Sequence, residues 1–128
     1  MFDTLEQAAE YVREHGIVQV DLKFCDLNGR WRHVTLPAGN LGPRLMERGV
    51  GFDGSSVGFK SVHSGDMVLV PDLATGFVDP FWELPTLSFI GTTLEADTRA
   101  PATGDPRLVA RRAEEFLRQS GVGDRSLW

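Results

Sequence analysis

The stretch "VDLKFCDLNGRWRHVTLPA", which runs from Val20 to Ala38, predicts a β-hairpin and decides the fold. Apolar and polar residues alternate on both sides of its centre, which is the period of a strand with one buried face. The pair Asn28-Gly29 at the centre is typical of a tight turn between two such strands. Two antiparallel strands that share one apolar face are therefore expected.

The register of this hairpin can also be predicted. A two-residue turn would place Val34 opposite Lys23, which mixes apolar and charged side chains on one face. A three-residue loop over 27–29, with Gly29 in the left-handed conformation, places Val34 opposite Leu22 instead. Because the second register collects the apolar residues on one face, it is the expected one.

The segments around the hairpin predict further strands and helices. They are a helix capped at Thr4 and ended by Gly16, a short helix from Pro43, strands over 66–72 and 86–95, a short strand and turn within 76–82, and a helix over 106–120 capped by Asp105. Strands that pair locally, with helices on one side, indicate an α+β fold rather than a doubly wound sheet.

The last helix has apolar residues at helical spacing, which predicts a buried stripe. The expected members of the stripe are Leu108, Val109, Ala113, Phe116 and Leu117.

Composition excludes several classes of function. The formal net charge of −5 argues against a general nucleic-acid-binding protein, which needs a basic face. No apolar run approaches the roughly 20 residues of a membrane span. Cys25 is the only cysteine, so an internal disulfide is impossible and a cytoplasmic location is expected.

A second stretch, "GVGFDGSSVGFKSV" over 49–62, holds four glycines within its first ten residues. Glycine loses much conformational freedom when it is ordered, so such a cluster indicates a loop shaped for close approach to another group. Asp53 lies within this loop and Asp66 shortly after it. On the residues alone, turn formation explains both carboxylates, since aspartate beside glycine caps its own backbone.

Two segments of the same loop partly match short catalytic motifs, but each lacks residues or structure that its motif requires. Gly54 to Gly58 match G-x-S-x-G, but no helix is expected after the serine, and no histidine follows Asp66 to complete a triad. A phosphate-binding loop needs a glycine before its lysine, and here Phe59 precedes Lys60. The three histidines (His15, His33 and His63) lack metal-ligand spacing, so no metal site is expected.

Four motifs occurring in order resemble the N-terminal domain of bacterial-type glutamine synthetases. They are the hairpin over 20–38, "FDGSS" over 52–56, "DMVLVPD" over 66–72 and "DPRLVARRAEEFLRQSG" over 105–121. The resemblance covers about residues 17–125 and implies a β-grasp (ubiquitin-like) fold. It divides the chain into an N-terminal helix (1–16), a β-grasp core (17–104) and a C-terminal helix with the start of a link to a missing catalytic domain (105–128).

The resemblance also implies roles for five residues. Asp53 matches the family aspartate that helps to bind ammonium and remove its proton. Ser56 matches a serine that lines the same pocket, and Ser55 supports the turn. Asp66 resembles a carboxylate that contacts the mobile flap of a neighbouring subunit, and Phe59 resembles an aromatic residue near the nucleotide.

The implied partner is the catalytic domain of an adjacent identical subunit in a homo-oligomeric ring, a dodecamer in this family. The implied reaction joins ammonia to glutamate with ATP and Mg²⁺ or Mn²⁺, in glutamine biosynthesis and nitrogen metabolism. No cofactor site is expected within these 128 residues, so the chain alone is expected to be inactive. Neither nucleic acid nor membrane is an expected partner.

Two alternatives stay open. Thr92 stands where members of the family commonly carry an acidic residue, which leaves room for a related ligase that uses another amine. The second alternative is a non-catalytic ubiquitin-like binding module whose glycine-rich loop docks on another protein.

Overall fold

The computed structural model describes residues 1–60 and 65–126. Its helices are α1 (Leu5–Glu14), α2 (Pro43–Arg48) and α3 (Pro106–Ser120). Its strands are β1 (Gln19–Cys25), β2 (Trp31–Pro37), β3 (Val50–Asp53), β4 (Asp66–Pro71), β5 (Phe77–Val78) and β6 (Thr86–Glu95). Within the described ranges, no helix is long and apolar enough to cross a membrane.

The strands form one mixed sheet in the order β2-β1-β6-β4-β3, and β5 also pairs with β6. β1 and β6 are parallel, and the other pairs are antiparallel. The sheet is strongly curled. Two strands separate β1 from the edge strand β3, yet the ring centroids of Phe24 on β1 and Phe52 on β3 are only 4.8 Å apart. The predicted α+β class is confirmed. β3 is not among the predicted strands, because the glycines at 49, 51 and 54 indicate a loop there.

The hairpin has the predicted register. Leu22 pairs with Val34, and Gly29 has a φ of 79°, the left-handed conformation that the three-residue loop requires. The loop is closed by the amide of Asp26, which donates to the carbonyl oxygen of Arg30 at 2.9 Å. The capping box predicted for α1, with Thr4 as N-cap, is also confirmed.

One face of the curled sheet carries the apolar core. Side chains from β1, β4 and β6 meet α1 and α2 there. The buried members include Ala8, Val20, Leu22, Phe24, Leu45, Leu69, Leu87 and Phe89. Each strand contributes every second residue, as the period of the pleat requires.

The other face of β1 carries a buried ionic cluster. The Lys23 ammonium lies 2.8 Å from a carboxylate oxygen of Asp21 and 3.0 Å from one of Asp79. His33 and Thr35 also contact the carboxylate of Asp21, at 2.8 and 2.7 Å. Since Asp79 follows β5, the cluster fastens the segment after β5 to the centre of the sheet.

The electrostatics of the cluster favour ionised carboxylates. Burial alone would raise the pKa values of Asp21 and Asp79. Hydrogen bonds from Lys23 and from neighbouring donors outweigh burial and hold both pKa values below the ordinary carboxyl value.

The prediction for α3 is half right. Its N-cap is Asp105, as predicted, and that side chain is buried and accepts a hydrogen bond from the Thr93 hydroxyl at 2.6 Å. The predicted buried stripe is wrong, because Val109 and Phe116 are 56% and 71% exposed and no α3 residue is fully buried. The amphipathic pattern is present, but the described residues do not bury its apolar face.

Lys23→Met should lower the free energy of unfolding by about 3–5 kcal/mol at pH 7, because two buried carboxylates lose their counter-ion. Carboxylates with lowered pKa values stabilise the fold above the ordinary carboxyl pKa, and this contribution is lost as pH falls through the lowered values. The difference between wild type and variant should therefore shrink in strong acid. Urea unfolding at neutral and acidic pH measures it.

Arg118→Met is the matched control, since Arg118 forms only an exposed ion pair with Glu115 at 3.5 Å. We expect a change below about 1 kcal/mol. Equal effects of the two substitutions at pH 7 would contradict the importance of the buried cluster.

Candidate functional site

The two predicted carboxylates meet where β3 ends and β4 begins. Asp53 is the last residue of β3, and it pairs directly with Asp66, the first residue of β4. Residues in such a pair share a face, with Cβ atoms about 5 Å apart. Both side chains are exposed. The structure therefore brings the two predicted carboxylates together at an edge of the sheet.

Asp53 organises the turn that follows it. Its Oδ1 accepts a hydrogen bond from the Ser55 amide at 2.9 Å, and it caps the 3₁₀ turn over Gly54–Val57. The Ser56 hydroxyl donates to the Asp53 carbonyl oxygen at 2.7 Å. Turn formation, the interpretation from the residues alone, is thus confirmed for Asp53, and it leaves the carboxylate open to solvent.

The same contacts set the charge of Asp53. Hydrogen bonds from the Ser55 hydroxyl, and then from the backbone of Ser55 and Ser56, hold its pKa below the ordinary carboxyl value. The carboxylate is therefore ionised throughout the neutral range. A low pKa makes Asp53 a weak base, whereas its negative charge suits it to binding a cation.

Two glycines allow the loop to lie this close to β4. A Cβ atom on Gly54 would stand 2.3 Å from the sulfur of Met67, and a Cβ on Gly65 would stand 2.4 Å from Oδ1 of Asp53. Gly58 has a φ of 81° and ends the 3₁₀ turn. The glycine cluster predicted that the loop approaches another group closely. In the structure the loop lies close to β4 of the same chain.

Phe59 and Lys60 brace the far end of the loop. The half-buried ring of Phe59 packs 6.0 Å from that of Phe24, and its amide donates to the Gly54 carbonyl oxygen at 2.9 Å. Lys60 forms an ion pair with Glu95 at the end of β6. Sequence reasoning missed both contacts, because their partners are distant along the chain. The role of Phe59 near a nucleotide stays a prediction.

The described residues leave the negative charge of the site uncompensated. None of their ion pairs involves Asp53 or Asp66. Over the same ranges, no group of three or more His, Cys, Asp or Glu side chains could hold a metal ion. His63 lies outside the described residues. The site can attract a cation, but the described residues hold no metal cluster.

Solved structures share this fold. A structure titled "CryoEM Plasmodium falciparum glutamine synthetase" matches with a TM-score of 0.81 at 17% identity, over 94% of this chain and 23% of that chain. One titled "GmaS/ADP complex-Conformation 1" matches with a TM-score of 0.77 at 22% identity, over 88% of this chain and 25% of that chain. At these identities the likeness shows the fold alone.

Sequence comparison is more specific. The glutamine synthetase of Azotobacter vinelandii is 40% identical over 121 residues, which cover 94% of this chain and 26% of the relative. The chain thus spans about a quarter of that relative's length. The family described as "Glutamine synthetase, beta-Grasp domain" matches residues 16–96, which include both strands of the hairpin and the aspartate loop. The chain belongs to the family of glutamine synthetase β-grasp domains.

Proposed function

We propose that this domain supplies the Asp53 loop to the active site of a glutamine synthetase, which joins ammonia to glutamate at the expense of ATP. The site to be completed is that of an adjacent subunit in a homo-oligomeric ring. The observation that carries the proposal is the exposed, ionised carboxylate of Asp53, fixed at a sheet edge by its own turn. Family membership and about 40% identity to a curated glutamine synthetase support the assignment.

In this proposal, Asp53 first acts as the binding group for ammonium. An ionised carboxylate attracts the cation, and the attraction strengthens once a partner covers the loop and excludes water. One proton then passes from the ammonium nitrogen to the carboxylate, and the resulting ammonia attacks the carbonyl carbon of an acyl phosphate. The C–N bond of the amide forms, the bond between that carbon and the phosphate oxygen breaks, and the departing phosphate takes the proton that the nitrogen loses. The low pKa of Asp53 favours the binding role, so deprotonation depends on the covered environment.

The other residues keep Asp53 in place. Ser55 and Ser56 fix the turn, and we propose that Ser56 also lines the ammonium pocket. We assign Asp66, opposite Asp53, to contact with the partner subunit, because its exposed charge suits a cationic segment. The role of Phe59 supported by its contacts is to brace the loop against Phe24.

ATP and the divalent metal ions belong to the remainder of the enzyme in this proposal. The described residues offer no metal cluster, so Mg²⁺ or Mn²⁺ would be held by the catalytic region. We accordingly place the β-grasp core at 17–104 and the link to the catalytic region after it. The isolated chain should be inactive, and a cytoplasmic location is inferred from its single cysteine.

A hybrid enzyme tests the role of Asp53. These 128 residues would replace the matching quarter of the Azotobacter vinelandii glutamine synthetase. Asp53→Asn keeps the shape and the capping ability of the side chain but removes its charge. We expect turnover to fall by about 10²- to 10⁴-fold, with ammonia-dependent glutamine formation as the measurement.

Asp97→Asn, on an exposed loop, is the control and should leave turnover unchanged. Normal turnover of the Asp53→Asn hybrid would refute the role of Asp53. A well-folded hybrid without any ligase activity would favour the non-catalytic binding module.

Gly65→Ala tests whether the position of the carboxylate matters. The added methyl group would collide with Oδ1 of Asp53 and turn the carboxylate aside. We expect hybrid activity at limiting ammonium to fall by about 10- to 100-fold, since small misplacements of a reacting group are costly. Gly104→Ala is the matched control, because its new Cβ would meet only ordinary contacts at 3.8 and 4.0 Å. Equal activity of the two variants would contradict the positioning argument.

A further inference from the structure

Lys60 is the cation of the loop that follows Asp53. The sequence over 49–66 holds no other lysine or arginine. The Phe59 amide donates to the Gly54 carbonyl oxygen at 2.9 Å, so the loop returns toward its start and brings Lys60 back beside Asp53. Lysine carries a compact charge on a flexible four-carbon stem. It could therefore pair with the carboxylate at which the loop begins.

In the structure, Lys60 pairs with Glu95 at the end of β6 instead. The two side chains are 23% and 21% exposed. Both partners of the surface pair Arg118–Glu115 are more than half exposed, at 53% and 54%. Because water and salt screen a partly buried pair less than an exposed one, the contact with Glu95 holds Lys60 more firmly than an ordinary surface pair would.

Glu95 lies on the face of the sheet away from the two carboxylates. It pairs with Met67 on β4, which in turn pairs with Phe52 on β3. Residues directly opposite each other in a ladder share a face, and successive residues of a strand point to opposite faces. Asp53 and Asp66, the strand neighbours of Phe52 and Met67, therefore project from the other face and are exposed there. The ion pair thus draws the lysine away from the candidate site.

A lysine released from this pair would compete with the substrate of the proposed reaction. Its terminal group has the same charge as an ammonium ion and likewise donates N–H hydrogen bonds to a carboxylate. A group tethered through a few residues has an effective concentration on the order of millimolar. Ammonium would then have to displace Lys60 from Asp53 before it could bind.

We propose that Glu95 is a positioning residue that holds the Lys60 ammonium group away from Asp53 and so keeps this carboxylate free for the ammonium substrate. The inference rests on the proposed function and adds to it a residue of β6 that acts through Lys60 and not on the substrate. An ion pair with a purely structural role would instead fasten the loop to β6. Loss of either partner would then have the same effect.

Variants of the hybrid enzyme separate these two roles. Glu95→Gln frees Lys60, so the KM for ammonium should rise by about tenfold or more, while kcat should stay within about twofold, because saturating ammonium displaces the lysine. Lys60→Met removes the competitor and should raise this KM by less than about threefold, the cost of losing one ion pair. The double variant with both substitutions should have the KM of Lys60→Met alone.

Glu10→Gln, at an exposed position of α1, is the matched control. It removes the same charge and should leave both KM and kcat unchanged. An equal KM for Glu95→Gln and for the double variant would overturn the inference, as would a Glu95→Gln hybrid in which kcat falls while KM stays normal.

The isolated chain offers a second test that needs no catalysis. The resonance of the Asp53 carboxyl carbon is followed against pH by NMR. In Glu95→Gln the pKa of Asp53 should fall below its wild-type value, because a lysine that reaches the carboxylate favours the ionised form. Adding Lys60→Met should return the pKa to the wild-type value. An Asp53 pKa that Glu95→Gln leaves unchanged would overturn the inference.

The two proposals fail separately. An active hybrid in which Glu95→Gln has a normal KM for ammonium would refute the role of Glu95 and leave the role of Asp53 intact. A hybrid that forms no glutamine, together with an Asp53 pKa that falls in Glu95→Gln and recovers in the double variant, would refute the proposed function. The retention of Lys60 by Glu95 would then still stand.

Discussion

The whole arrangement depends on the double pairing of β6. The first half of this strand pairs in parallel with β1, and its second half pairs with β4. One continuous strand thereby connects the hairpin to the two strands that carry the carboxylates. Because each ladder fixes which residues face each other, the position of Asp53 follows from β6 through β4 and β3. A displaced register along β6 would move the site as well as the core.

The two faces of the sheet are stabilised in different ways. One face buries apolar side chains against α1 and α2. The hydrophobic effect that stabilises this face does not depend on the direction of individual contacts. The other face uses Lys23 between two buried carboxylates, an arrangement that is costly to desolvate and sensitive to geometry. Such a cluster adds little beyond what apolar packing would give, but it permits one placement of the segment after β5. We interpret it as a device that fixes topology.

Local signals made much of the fold predictable from sequence. The register of the hairpin, the capping box at Thr4 and the N-cap at Asp105 each depend on residues within a few positions, and each was predicted correctly. Contacts between residues distant in sequence were not predicted. The residues near Lys23 do not indicate its ion pair with Asp79, and those near Phe59 do not indicate its packing against Phe24. The candidate site residues come from family resemblance and stay a prediction, and their geometry depends on the pairing of β3 with β4, which the sequence did not reveal.

The error on α3 has a different origin. Periodicity correctly showed that Val109 and Phe116 belong to an apolar stripe, but periodicity does not identify the surface that covers a stripe. Assigning that surface to this chain assumed that every apolar face is buried by its own domain. The exposure of Val109 and Phe116 contradicts that assumption.

Under the proposed function, the site at Asp53 is completed by a second surface, and the chemistry of the carboxylate explains why. A carboxylate with a lowered pKa, exposed at a sheet edge, is a good ligand for a cation and a poor base in water. In the proposed assembly a second surface covers the loop, and both properties would then change, since a lower dielectric strengthens the attraction to ammonium and raises the basicity of the carboxylate. The turn already fixes the side chain within this chain, so little ordering would remain to be done in the proposed assembly. Under the proposed function, division of the site between two surfaces would make deprotonation of ammonium depend on a properly assembled enzyme.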